Sequence, residues 1–87
     1  MTDTELLESV KTRLGLTGEY HNNLINGYIQ DVKNYLIDAG VDSSIVDSEV
    51  SVGVISRGVA DLWNYGSGEG TFSPVFYQRA IQLCYKK

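Results

Sequence analysis

Eighty-seven residues suffice for one domain, spanning 1–87, and folding would bury only roughly 60% of the unfolded surface, so help from neighbouring subunits is a natural expectation. An apolar fraction of 43% with 21% charged residues is ordinary for a folded chain and argues against disorder. Seven basic residues against eleven acidic ones leave a net charge of −4 spread along the sequence, which disfavours a nucleic-acid surface built on clustered Lys and Arg.

Leu6, Leu7, Val10 and Leu14 recur at helical spacing behind Thr2, Asp3 and Thr4, any of which can cap, with Glu5 and Glu8 in the opening turns. Gly15 stops this first helix. The second pattern is the clearest: Leu24, Ile25, Tyr28, Ile29, Val32, Tyr35, Leu36 and Ala39 form one wide apolar stripe, and Asn23, Asn26, Gln30, Asp31, Asn34 and Asp38 lie opposite. A helix from about Tyr20 to Ala39 follows, closed by Gly40 at the C′ position.

Val41 to Ser44 reads as a turn, with Ser44 and Asp47 as a capping pair. Val50, Val52 and Val54 alternate as a strand would, but Ile55, Val59, Leu62 and Trp63 return to helical spacing and no second alternating run exists to pair with them. The reading is therefore one helix over Ile45–Tyr65, apolar on more than one face, in which Gly53, Gly58 and Ala60 permit close approach of another backbone.

From Trp63 to Tyr77 the sequence holds five of its nine aromatics, three of its nine glycines and its only proline. Gly66, Gly68 and Gly70 make a flexible joint, after which Ser73 supplies an N-cap and Pro74 a preset first helical residue. The last helix carries Phe76, Ala80, Leu83 and Cys84 on one face, widened by Tyr77, Ile81 and Tyr85. The expected fold is all-α: a small bundle of about four helices with a Gly-rich loop before the last one.

Catalytic chemistry finds little footing, and the expectation is a protein that is not an enzyme and takes no cofactor. The sole histidine, His21, stands at a helix start where a surface or capping role is far commoner than general-base work. One histidine and one cysteine make no metal pair, and Cys84 on an apolar face reads as a small core residue in a reducing compartment. Asp31 and Asp38 share a helical face as a solvated stripe, without a ligand loop. The Gly-Ser-Gly-Glu-Gly run follows a helix, carries Glu69 where phosphate would be repelled and lacks the Lys-Ser/Thr ending of a phosphate loop. Lys86 and Lys87 complement a helix dipole. No leader, membrane span or myristoylation glycine is legible, so a soluble, unexported protein is expected.

The order of these elements resembles the small head-to-tail connector (head-completion or adaptor) proteins of long-tailed bacteriophages and prophages. The residues that carry the resemblance are Leu7-Glu-Ser-Val-Lys-Thr-Arg-Leu14-Gly-Leu16, then Asn23-Leu-Ile-Asn-Gly-Tyr-Ile29 and Tyr35-Leu36. After them come Leu62-Trp63-Asn64-Tyr65, the variable loop, Ser73-Pro-Val-Phe76 and Ile81-Gln-Leu83. These are degenerate hydrophobic patterns covering nearly the whole chain. Members often carry a basic residue just after the third helix, and positions 64 to 69 here have none.

What the resemblance implies is a structural virion protein. It would assemble in the host bacterial cytoplasm into a homo-oligomeric ring of about a dozen subunits, complete the packaged head below the portal protein and dock tail-side proteins at the head–tail junction. DNA would pass through without specific binding, and no membrane would be involved. On this reading Arg57, Trp63, Tyr65, Phe72, Tyr77 and Arg79 face a neighbouring subunit or partner. The rival for a small all-α domain is a helix-turn-helix DNA-binding regulator turning at Ala39-Gly40-Val41-Asp42. Its second helix would open on Ile45, Val46, Asp47, Ser48 and Glu49 and carry Arg57 as its only base, a poor match to a DNA groove.

Overall fold

A computed structural model describes residues 2–65 and 72–85; the glycine joint at 66–70, the side chain of Tyr65, and Lys86 and Lys87 lie outside the described residues. The expected all-α bundle is what is found: α1 spans Asp3–Leu14, α2 Asn22–Asp38, α3 Ser43–Val46, α4 Val52–Tyr65 and α5 Pro74–Cys84, with a 3₁₀ turn at Glu49–Ser51 and no strand among the described residues.

The caps explain where the helices begin and end. Thr2 and Glu5 form a reciprocal capping box, the Glu5 N–H donating to Thr2 Oγ1 at 3.1 Å and the Thr2 N–H to Glu5 Oε1 at 3.0 Å. The Thr2 backbone N–H, and after it the Thr2 side chain, hold the Glu5 carboxyl below its ordinary value. Gly15 closes α1 in the left-handed conformation, with φ 74°. The chain then returns through Lys11, whose buried ammonium donates to the Gly18 carbonyl and pairs with Glu8 Oε1 at 3.9 Å.

Of the surface or capping role expected for His21 the structure shows the surface one: it is exposed and holds the N-cap position of α2 without a side-chain cap bond, and α2 runs two residues shorter at its start and one at its end than the stripe suggested. The segment after α2 needs correction, because the helix expected over Ile45–Tyr65 is interrupted. Asp42, not a Ser44–Asp47 pair, caps α3, its Oδ1 accepting from the Ser44 N–H at 2.9 Å. Serine hydroxyls then take the carbonyls that the next helical turn would have used: Ser48 Oγ donates to Ile45 O at 2.7 Å and buried Ser51 Oγ to Val46 O at 2.6 Å. Such side-chain bonds compete with helix continuation, and the chain restarts at Val52. Val50, left off the apolar stripe of α4, is 53% exposed.

α4 is the central helix and packs against α2, α1 and α5. Val52, Val54, Ile55, Val59 and Leu62 are all buried, which accounts for a sequence apolar on several sides. Gly58 is the point of closest approach. A Cβ there would lie 2.7 Å from Phe76 Cε1 and 2.8 Å from Val32 Cγ2, so glycine lets α2, α4 and α5 meet around Phe76, a side chain with no exposed surface. On the far side of α2, Lys33 bridges Asp3 of α1 at 3.6 Å and Asp47 at 3.9 Å, tying the start of α1 to the turn after α3.

Candidate functional site

Phe72, Phe76 and Tyr77, which follow the glycine joint, face the chain's own core. Phe72 stacks on Phe76 with centroids 4.2 Å apart, and Tyr35 of α2 lies 5.2 Å from Phe72, 5.6 Å from Phe76 and 6.0 Å from Tyr77. The Tyr77 hydroxyl accepts from the Phe72 N–H at 3.3 Å. Burial, and after it the neighbouring Tyr77, push the Tyr35 phenol above its ordinary value. Trp63, half-buried at the end of α4, meets His21 edge-on at 4.9 Å, and His21 meets the exposed Tyr20 at 4.7 Å. His21 is thus a packing ring at the mouth of α2.

Arg57 and Asp61, one turn apart on α4, anchor the restart of α5. Asp61 is 2% exposed; its Oδ2 accepts from the Ser73 N–H at 2.9 Å and its Oδ1 lies 3.7 Å from Arg57 Nη2. Arg57 Nε donates to Ser73 Oγ at 3.3 Å, and that oxygen also accepts from the Phe76 N–H at 3.2 Å, the N-cap bond expected from the Ser-Pro pair. Asp61 was not singled out by sequence reasoning. The available signal was a carboxylate set between Val59 and Leu62 inside an apolar helical run, where an unpaired charge is costly.

A cleft of about 340 Å³ lies between α1, α4 and α5, lined by Arg13, Leu14, Gly53, Ser56, Arg57, Ala60, Val75 and Arg79. Its floor is one stripe of α4, Gly53, Ser56, Arg57 and Ala60, in which the small residues at 53, 56 and 60 leave a gap between α1 and α5. All three arginines of the sequence line this one cleft. Arg57 and Arg79 were expected at an interface; Arg13 was missed, because nothing in its local sequence connects it to residues on α4 and α5.

Among the described residues no group of three His, Cys, Asp or Glu side chains could hold a metal ion, and no helix is long and apolar enough to cross a membrane. Cys84 is half-buried, with its Sγ 3.7 Å from the Ala39 carbonyl. α3, with four residues, is little more than one turn, so the segment after the Ala39–Asp42 bend does not supply a helix long enough to lie in a DNA groove. No family model, curated protein or solved structure matches this chain.

Proposed function

We propose that the protein is a non-enzymatic ring adaptor of a phage particle, completing the packaged head below the portal and connecting it to the tail. The reading rests on the connector-like sequence pattern, and what supports it is the way that pattern maps onto the elements. Leu7–Leu14 lies in α1, Asn23–Ile29 and Tyr35–Leu36 in α2, Leu62–Trp63 near the end of α4, and Ser73–Phe76 at the restart into α5. The partners on this reading are copies of the same chain, the portal protein and a tail-side protein, assembled in the host cytoplasm.

The observation that carries the interface is the outer side of α5. Phe76, Ala80 and Leu83 face the core, whereas Ile81 is 58% exposed and Tyr85 83% exposed one turn further on. Because Phe72 and Tyr77 are engaged with Tyr35 and Phe76, the subunit contact on this reading centres on Ile81 and Tyr85. Electron microscopy of the protein mixed with its portal ring tests this. A ring seated on the portal is expected, and the absence of both ring and complex overturns the reading.

A further inference from the structure

We propose that the cleft between α1, α4 and α5 is a binding site for a phosphate group, free or as a monoester. The inference is independent of the ring reading and starts from the contrast between charge along the sequence and charge in space. The chain carries −4 overall, yet Arg13, Arg57 and Arg79 share one cleft. Lys11 and Lys33, in contrast, are each held by carboxylates of their own chain.

Three features make the cleft a site and not a chance gathering. First, its cations are under-compensated. Asp61 pairs with Arg57, while neither Arg13 nor Arg79 has a carboxylate partner among the described residues, so three positive charges against one negative leave the cleft at +2. A phosphate monoester near neutral pH carries up to two negative charges and matches this better than a single carboxylate does. Second, guanidinium forks are suited to phosphate oxygens, giving paired, charge-assisted N–H bonds. Third, Ser56 points to a ligand on its own account. It is 5% exposed, it lines the cleft, and its Oγ has no hydrogen-bond partner, a rare condition for a buried hydroxyl. The hydroxyl oxygen itself is covered, and a rotation about χ1 toward the arginines would let it donate to a phosphate oxygen at the cleft floor.

The floor itself is made of small residues. Gly53 lies beneath the Arg13 guanidinium, whose Nη1 would be in ordinary contact with a Cβ there at 3.8 Å, and Ala60 adds only a methyl group at the opposite end. A volume of about 340 Å³ lies at the lower end for small-molecule pockets and holds more than a bare phosphate ion. The remaining walls, Leu14 and Val75, are apolar and would face the body of a small phosphate ester.

The test is a titration of the full chain with inorganic phosphate, glycerol phosphate and acetate, each at constant ionic strength, followed by amide and Arg Nε–H resonances. Saturable shifts at Gly53, Ser56 and the arginine side chains are expected with both phosphate probes. The double variant R13Q/R79Q is expected to weaken binding at least about tenfold and S56A more modestly, both with unchanged helical circular dichroism. Tighter binding of glycerol phosphate assigns the site to a phosphorylated small molecule, and tighter binding of inorganic phosphate to the free ion; both support the proposal. Acetate binding as tightly as phosphate, shifts that do not saturate, or binding unaltered in R13Q/R79Q would overturn it.

Discussion

The buried carboxylate of Asp61 accepts the Ser73 backbone N–H at 2.9 Å, so a residue in the third turn of α4 fixes the point at which the chain re-enters helical structure at α5. Arg57 shares both partners, lying 3.7 Å from Asp61 and 3.3 Å from Ser73 Oγ. The restart is held from three sides: by the carboxylate, by the guanidinium and by the Ser73 cap bond to Phe76.

Replacing Asp61 should therefore detach α5 before it disturbs α4. Asp61→Ala leaves the Ser73 N–H and the inner edge of Arg57 without an acceptor, and a loss of about 1–3 kcal/mol is expected from the stranded donor alone. Asp61→Asn keeps an amide oxygen in place and should cost less. Urea unfolding of both variants measures the difference; equal losses would mean that the charge and not the hydrogen bond matters.

Gly58 and Gly27 should respond to alanine with opposite signs. Both gain about 1 kcal/mol of intrinsic helix preference. At Gly27 nothing lies within 4 Å of the added methyl, so Gly27→Ala should raise the melting temperature. At Gly58 the methyl would meet Phe76 and Val32 inside 3 Å, and both neighbours are fully buried and unable to move aside. Overpacking of this kind costs typically about 1–3 kcal/mol or more, so Gly58→Ala should lower the melting temperature.

Phe76→Ala should be the most damaging core change in α5. The ring is fully buried between Tyr35, Phe72 and Gly58, and its removal is expected to cost about 3–5 kcal/mol. That is a large share of the stability of a domain this small. Loss of protection of α5 amides in hydrogen exchange, ahead of α1 and α2, is the expected signature.

Thr2→Ala should remove the capping box and move the titration of Glu5. In the folded chain the Glu5 carboxyl is held low by the Thr2 backbone N–H and then by its side chain. A depressed carboxyl adds stability that is present above its unfolded value and lost as pH falls through the folded one. Because Thr2→Ala keeps the backbone N–H and removes only the side-chain contribution, carbon-detected NMR titration should show Glu5 moving part of the way up toward the ordinary carboxylate range, and the acid side of the stability profile should flatten slightly.

The helices themselves were legible because their signals are local. Leu6, Leu7 and Val10 repeat with the helical period, Gly15 and Gly40 sit where left-handed backbone is needed, and Ser73-Pro74 marks a start that the structure reproduces atom for atom. The break between α3 and α4 was not legible. Val50 and Val52 are apolar on both sides of it, and only the bonds from Ser48 and Ser51 to the Ile45 and Val46 carbonyls show that the helix has ended. Hydroxyls in an apolar run are compatible with either outcome until their acceptors are known.

Caps, apolar stripes and composition are enough to specify a small helical domain with an acidic net charge. That Phe72, Phe76 and Tyr77 close on Tyr35, and that Arg13, Arg57 and Arg79 line one cleft with Ser56, is visible only once the helices are packed. The physical reason is that helical periodicity specifies which face of an element is buried. Which distant element supplies its neighbour is set by packing at points such as Gly58, where the absence of a single methyl group lets three helices meet.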